Sequence, residues 1–231
     1  MISDKIIVAL DTADRTQLDF LRSELKGNAT YVKVGMELFY TFGIDVIKEL
    51  KDDGFKIFLD LKMHDIPQTV HNACKTLAKN GVNLINLHVA GGSEMMKAGA
   101  EGFKSEAPNG DIIGVTQLTS TDQKTLNQDI LIPGDLTQTI IEYAKIAKNA
   151  SLSGVVCSAL EIEMIKLATS SSFKCITPGI RPRGSKANDQ KRIMTPLEAL
   201  KAGTDHMVIG RPITKAQSPK EAFLNILKEI S

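Results

Sequence analysis

The stretch 56–70, KIFLDLKMHDIPQTV, carries the residues of this chain whose types and spacing are best suited to chemistry. Its first half is apolar and β-prone, and it runs into Asp60 and Lys62, which project from the same face of a strand because side chains alternate. Asp65 follows just beyond the strand, before Pro67, a residue typical of a helix start. The pattern Asp-x-Lys-x-x-Asp therefore gathers opposite charges at the carboxyl end of a buried strand. An exposed ion pair with a capping aspartate is the other interpretation, since such pairs are common.

Short apolar strands alternate with helices along the whole chain. The hydrophobic pattern predicts strands at 5–10, 30–34, 56–61, 83–89, 111–118, 153–158, 174–177 and 206–209. It predicts helices at 15–26, 36–53, 67–79, from the turn at 91–93 to about 106, and at 136–149, 159–169, 196–202 and 219–230. Such alternation implies parallel strands joined by crossovers, and eight units close a (β/α)8 TIM barrel. We expect residues 1–231 to form a single barrel domain.

The composition excludes several classes of function. With 42% hydrophobic and 24% charged residues, the chain has the make-up of a soluble globular protein. A net charge of +1 argues against nucleic-acid binding, so that any phosphate site must be local. Three cysteines without C-x-x-C spacing, and no ligand-like spacing of histidines and carboxylates, predict neither a disulfide framework nor a metal. Without a leader pattern or a bilayer-length apolar segment, we expect a cytoplasmic protein with no membrane partner.

The active site of such a barrel lies at the carboxyl ends of its strands. Lys33, in the second strand, is either an edge residue facing solvent or a functional cation facing inward, beside Asp60 and Lys62. A fixed ammonium next to a carboxylate can stabilise a developing carbanion and deliver a proton to it. The other polar residues expected at this end are Asp11, Asp65, Thr119, Ser120, Arg181 and Arg211. This collection favours a functional site over solvated loops.

The loops after strands seven and eight predict a phosphate site. They supply Gly179 and Gly210 for close backbone approach, and Arg181 and Arg211 for the phosphate oxygens. A phosphorylated small substrate is therefore expected. His88, at the end of the fourth strand, is the one histidine placed to see the site, and the sequence gives it no defined role.

In its motifs, the whole chain resembles the orotidine 5′-phosphate decarboxylase family. DLKMHDIPQT at 60–69 matches the catalytic motif of the family, and ALD, KVG, LTS, TPGIRP, DQ and IGRP follow in the order of its bacterial members. The resemblance implies a TIM barrel that converts orotidine 5′-monophosphate to uridine 5′-monophosphate and CO2, the last step of de novo pyrimidine synthesis. It also implies that neither metal nor cofactor takes part.

The resemblance further implies a role for each matching residue. Lys62 is the proton donor to the C6 carbanion, Asp60 crowds the substrate carboxylate, and Lys33 and Asp65 complete the charged network. In the family, the residue at Asp65 comes from the partner subunit of a homodimer, so that active sites are shared. The implied substrate contacts are Asp11 and Lys33 to the ribose, Thr69 to the substrate of the neighbouring subunit, Thr119 and Ser120 to the pyrimidine, Arg181, Gly210 and Arg211 to the phosphate, and Gln190 between base and phosphate from a lid at 181–193.

Two alternatives remain open at this point. Magnesium-dependent sugar-phosphate decarboxylases and aldol-type synthases share Asp-x-Lys-x-x-Asp, but they place an acidic metal ligand where Lys33 stands. A non-catalytic barrel that binds a phosphorylated ligand would not need Lys62 beside Asp60.

Overall fold

The computed structural model describes residues 2–182 and 194–231. Within these ranges eight parallel strands close into a barrel, each paired with its neighbours in chain order. The strands are β1 (Ile6–Ala9), β2 (Tyr31–Gly35), β3 (Lys56–Met63), β4 (Leu84–His88), β5 (Asp111–Val115), β6 (Gly154–Val156), β7 (Lys174–Thr177) and β8 (His206–Ile209). The closed parallel barrel confirms the predicted (β/α)8 fold.

Helices connect successive strands on the outside of the barrel. They are α1 (Arg15–Leu25), α2 (Met36–Phe42), α3 (Asp45–Asp52), α4 (Pro67–Lys79), α5 (Gly92–Lys104), α6 (Leu136–Asn149), α7 (Ile162–Ala168), α8 (Pro196–Lys201), α9 (Arg211–Thr214) and α10 (Pro219–Ile230). The prediction of one helix at 36–53 is wrong, because the chain leaves the helix at Gly43, whose φ is 71°. The single-turn α9 after β8 was not predicted either.

Side chains fill the inside of the barrel and the layer between strands and helices. Lys33, Asp60 and Asn86 each lie two positions beyond a residue that belongs to, or packs against, the inner core. They therefore face inward as well, because side chains alternate along a strand. The charged residues thus rest directly on the apolar filling of the barrel. The buried members of the inner core are Ile7, Phe58, Leu84, Ile113 and Ile176.

β3 is longer and less regular than predicted. It extends to Met63, and its pairing with β4 shifts register between Leu59, which pairs with Ile85, and Met63, which pairs with Leu87. Residues 60–62 of β3 therefore stand opposite Asn86 alone. An irregularity of this kind bends the strand and redirects side chains, and it is common next to active sites.

α4 and α5 pack closely, and this contact positions the segment that follows β3. A Cβ on Gly102 of α5 would lie 2.3 Å from the carbonyl oxygen of His71 on α4. The Nδ1 of His71 lies 3.1 Å from the carbonyl oxygen of Ala98 on α5. Since α4 begins at Pro67 and carries Thr69 in its first turn, the close contact fixes where Thr69 lies.

We expect Gly102→Ala to destabilise the fold, because the new methyl group would collide with the backbone of α4. An overpacking cost of about 3 kcal/mol would outweigh a gain of roughly 1 kcal/mol in helix propensity, a net loss of about 2 kcal/mol in the free energy of unfolding. Urea unfolding followed by circular dichroism measures this change. Glu101→Ala, on the exposed side of the same helix, is the matched control and should stay within about 0.5 kcal/mol of the wild type. Equal stability of the two variants would contradict the close contact.

Candidate active site

Alternating charges run from β1 to β3 at the carboxyl end of the barrel. The Nζ of Lys33 lies 2.8 Å from Oδ1 of Asp11 and 3.5 Å from Oδ2 of Asp60. The Nζ of Lys62 lies 2.7 Å from Oδ1 of Asp60. Lys33 is only 7% exposed and faces inward, so of the two interpretations of this lysine the solvent-facing one is wrong.

Strand pairing brings these side chains together. Ala9 pairs with Lys33, and Gly35 pairs with Asp60, so that the ends of β1, β2 and β3 lie side by side. Asp11 follows β1 on a half-exposed loop. A Cβ on Gly35 would lie 2.8 Å from both Oδ1 of Asp11 and Nζ of Lys33. The glycine of the KVG motif is therefore required by the geometry, because any side chain at Gly35 would displace the ion pair between Asp11 and Lys33.

Asp60 is the most enclosed carboxylate of this network. Burial is the largest influence on its pKa and raises it, but the ammonium groups of Lys33 and Lys62, with hydrogen bonds from Lys62 and Asn86, hold the pKa below its ordinary value. Opposite charges within a few ångströms favour the ionised form in this way. Asp60 is therefore a fixed negative charge, and both lysines are held against it.

Asn86 of β4 is a site residue that sequence analysis missed. Its Nδ2 donates to Oδ1 of Asp60 at 2.7 Å, and its Oδ1 accepts the backbone N–H of Lys62 at 2.9 Å. Lys62 itself has a positive φ of 53°, which is uncommon for a residue with a side chain. The signal in the sequence is a polar residue that interrupts the apolar strand NLINLHV.

A cavity of about 680 Å³ opens above the charged network. This volume lies within the usual range for small-molecule sites. The residues on its wall that the sequence predicts are Asp11, Lys33, Asp60, Lys62, Thr119, Ser120, Gly179, Arg181, Gly210 and Arg211. The polar residues on its wall that the sequence did not single out are Glu37, Gln117, Thr214 and Lys215. β5 ends at Val115, before the predicted 118, and the loop that follows it carries Thr119 and Ser120 to this wall.

The wall near β7 and β8 is cationic. Arg181 is only 7% exposed, and its Nη1 donates to the carbonyl oxygen of Ile180 at 2.9 Å. Arg211 and Lys215 lie on the same part of the wall, at the two ends of the short α9. Gly210, directly before α9, lies on this part of the wall as well. This side of the cavity suits an anionic group, whereas the β1–β3 side combines lysines with carboxylates.

Two predicted residues lie away from the cavity of their own chain. Asp65 is exposed, and its Oδ1 accepts the backbone N–H of Ile66 at 2.7 Å. Thr69 is exposed in the first turn of α4. Gln190 and residues 183–193 of the predicted lid lie outside the described residues. His88 is half-buried against His64, with ring centres 5.8 Å apart, and burial is the main cause of its lowered pKa.

Residues 2–182 and 194–231 contain neither a metal-ligand cluster nor a helix that could span a membrane. No group of three or more histidine, cysteine, aspartate or glutamate side chains in these ranges has the arrangement to hold a metal ion. None of the helices there combines the length and apolar character needed to cross a bilayer. Asp11 and Asp60 at the cavity are instead paired with lysines.

The fold and the cavity define a class: (β/α)8 barrel proteins that take a small anionic ligand at the carboxyl ends of their strands. Within that class, the chain belongs to the orotidine 5′-phosphate decarboxylase / HUMPS family, whose model matches residues 4–226.

Individual relatives agree with this assignment. The orotidine 5′-phosphate decarboxylase of Streptococcus suis is 50% identical over 224 residues, which cover 96% of each chain. That of Enterococcus faecalis is 48% identical over 233 residues, 99% of this chain and 98% of the relative. The crystal structure of orotidine 5′-phosphate decarboxylase from Lactobacillus acidophilus is 41% identical, covers 98% of both chains and superposes with a TM-score of 0.88. The family expected from the motifs is confirmed.

We expect Lys33→Met to raise the pKa of Asp60, because burial already raises that pKa and Lys33 is the largest influence that lowers it. The pH titration of the ¹³C carboxyl resonance of Asp60 measures the change. Lys26→Met, which removes an ammonium paired with Asp53 on the outer surface at 2.9 Å, is the control and should leave this pKa unchanged.

The same shift has a consequence for stability. In the wild type, ionised Asp60 adds stability above its unfolded-state pKa, and this stability is lost as the pH falls through the lowered folded-state pKa. In Lys33→Met the folded-state pKa lies closer to the unfolded-state value, so this stability should be smaller and its loss should be complete at a higher pH. An unchanged pKa of Asp60 in that variant would contradict the electrostatic role of Lys33.

Proposed function

We propose that this chain catalyses the decarboxylation of orotidine 5′-monophosphate to uridine 5′-monophosphate and CO2, the last step of de novo pyrimidine synthesis, without metal or cofactor. The observation that carries the proposal is the Lys62–Asp60 pair, 2.7 Å apart beneath a cavity with a cationic far wall, in a chain of this family. We place the enzyme in the cytoplasm, together with the nucleotide synthesis that it supplies.

In the proposed mechanism the substrate carboxylate lies against Asp60. Two like charges in a partly buried site repel each other, and loss of CO2 relieves that repulsion, so the interaction favours the transition state over the bound substrate. When the bond between C6 and the carboxylate breaks, its electron pair stays on C6. The ammonium of Lys62 stabilises this charge and transfers a proton to C6, and the resulting amine regains a proton from solvent.

The remaining cavity residues hold the parts of the substrate that do not react. Asp11 and Lys33 bind the ribose hydroxyls, and Thr119 and Ser120 bind the pyrimidine. Arg181, Gly210 and Arg211 bind the phosphate, which accounts for the cationic wall near β7 and β8. Gln190 contacts base and phosphate from the 181–193 lid as part of the same proposal.

We further propose a homodimer in which Asp65 and Thr69 serve the cavity of the partner. Both side chains are exposed and stand away from the cavity of their own chain. Ile66 lies between them in sequence and exposes 67% of its surface. Asp65 and Ile66 directly precede α4 and Thr69 lies in its first turn, so these exposed side chains lie together at the start of this helix. An exposed isoleucine between two polar residues fits a surface that a second copy covers.

The position of Lys33 separates the decarboxylase from its magnesium-dependent relatives. Its ammonium lies between the carboxylates of Asp11 and Asp60, at 2.8 and 3.5 Å, where a bound cation would otherwise neutralise them. A purely ligand-binding barrel gives no reason for Lys62 to be held at 2.7 Å from Asp60 with a positive φ. Both features favour metal-free decarboxylation.

Chelator-treated protein should convert orotidine 5′-monophosphate, and the loss of ultraviolet absorbance of its orotate chromophore measures the rate. Lys62→Ala should lower kcat by at least about 100-fold, because a general acid contributes roughly 10²–10⁴-fold to the rate. Lys56→Ala is the matched control, since Lys56 lies at the opposite end of the same strand, over the ring of Tyr31.

Two outcomes would contradict the proposal. A folded wild-type protein that leaves the chromophore intact would exclude the reaction, and activity that requires added magnesium would favour the metal-dependent relatives. Substantial turnover by Lys62→Ala would remove Lys62 from the role of proton donor.

Mixing Lys62→Ala chains with Asp65→Ala chains should restore activity if the sites are shared. In each mixed dimer one site has both residues intact, so random exchange should give roughly one quarter of the wild-type activity per subunit. The measurement is the decarboxylation rate of the mixture against each variant alone. Absence of rescue, with subunit exchange verified by mass spectrometry, would contradict the shared site.

A further inference from the structure

Asn86 is a buried polar residue in the middle of β4 to which neither the motifs nor the proposed mechanism assigns a task. It is 1% exposed, beneath Asp60. Its amide nitrogen donates to Oδ1 of Asp60 at 2.7 Å, and its amide oxygen accepts the backbone N–H of Lys62 at 2.9 Å. The same Oδ1 of Asp60 accepts the ammonium of Lys62 at 2.7 Å. Asn86, Asp60 and Lys62 therefore form a closed ring of hydrogen bonds.

The two partners dictate which way the amide points. An ionised carboxylate only accepts hydrogen bonds, and a backbone N–H only donates. Asn86 must turn its nitrogen to Asp60 and its oxygen to Lys62. Among aspartate, asparagine and leucine, which share this length, only the amide of asparagine offers a donor and an acceptor at once at neutral pH.

The backbone of β3 needs this oxygen. Residues 60–62 stand opposite Asn86 alone, so the regular ladder between β3 and β4 is interrupted where Lys62 lies. Lys62 has a φ of 53°, a strained conformation for a residue with a side chain. A strained residue persists only where its surroundings hold it in place. The bond from Lys62 N–H to the Asn86 side chain replaces the missing ladder bond and supports this conformation.

We propose that Asn86 is a positioning residue for the reaction: it holds the carboxylate of Asp60 and the strained backbone of Lys62 in one rigid unit, which aims the Lys62 ammonium at the reacting carbon. The inference rests on the proposed decarboxylation. Asn86 touches no substrate in this arrangement and acts through Asp60 and Lys62. Its loss should therefore change the chemical step much more than substrate binding.

The first variant is Asn86→Leu, which keeps the size of the side chain and removes both hydrogen bonds. A misplacement of about 1 Å at a reacting group costs on the order of 100-fold in rate, so kcat should fall by about that factor. KM, and the affinity for uridine 5′-monophosphate measured by titration calorimetry, should stay within about threefold of wild type, because the ribose and phosphate contacts are intact.

Asn83→Leu is the matched control for the loss of an amide that bonds the backbone of β3. Asn83 is half-buried and directly precedes β4, and its Oδ1 accepts the backbone N–H of Ile57 in β3 at 2.9 Å, the same kind of bond. It lies at the opposite end of the barrel from the cavity. Asn83→Leu should lower thermal stability and leave kcat within about threefold of wild type.

A second variant, Asn86→Asp, keeps the acceptor for Lys62 and almost the same shape, so it tests the idea even if Asn86→Leu does not fold. The introduced carboxyl can donate to Asp60 only while it is protonated, and once ionised it repels Asp60. Its kcat should be at least about tenfold below wild type at neutral pH and should recover as the pH is lowered, since the protonated form mimics the amide.

The results separate this inference from the proposed function. A wild type without activity refutes the decarboxylase itself. An active wild type with folded Asn86 variants whose kcat stays within about threefold of it overturns the positioning role, as does an equal loss of kcat in Asn83→Leu. A crystal structure of the Asn86 variant gives a readout independent of activity. The inference expects φ of Lys62 to leave its positive value or the Lys62–Asp60 contact to lengthen, and unchanged geometry there would overturn it.

Discussion

An ionised carboxylate held inside the mouth of the barrel is the constraint on which the rest of the site depends. A buried charge is costly unless it is paired and hydrogen-bonded. Asp60 meets that condition with Lys62 and Asn86, each at 2.7 Å, and with Lys33 at 3.5 Å. Each partner comes from a different place: Lys33 from β2, Lys62 from β3 itself and Asn86 from β4. Three adjacent strands are therefore built around one carboxylate.

The same constraint extends outward to residues without charge. Because Lys33 must reach both Asp11 and Asp60, the space beside it has to be empty, and Gly35 provides that space. The contact between Lys62 and Asp60 lies in the part of β3 where regular pairing with β4 is interrupted and Lys62 adopts a positive φ. The irregular backbone at the end of β3 and the charge network therefore involve the same two residues, Asp60 and Lys62.

The sequence is sufficient to predict those features of the fold and the site that depend on local periodicity. Alternation along a strand is enough to place Asp60 and Lys62 on one face, and the eightfold repeat of strand and helix is enough to predict the barrel. The sequence alone does not predict the role of Asn86, because the need for an amide at this position becomes clear only when β4 is known to lie against the irregular part of β3. The break in the predicted helix at 36–53 was missed for a related reason: Gly43 reads as tolerable within a helical pattern, and only its positive φ shows that the chain turns there.

The two sides of the cavity differ in charge. On the β1–β3 side, each positive charge lies within hydrogen-bonding or ion-pair distance of a carboxylate, so an anion brought there gains little and is repelled by Asp60. Near β7 and β8 the wall is cationic, with Arg181, Arg211 and Lys215. In the proposed reaction, an anionic group held at that far wall supplies binding energy away from the reacting centre, and this energy offsets the unfavourable approach of a second anion to Asp60. The proposed substrate carries two anionic groups at opposite ends: the cations near β8 hold its phosphate, and Asp60 destabilises its carboxylate. The group that supplies binding energy is therefore separate from the group that reacts.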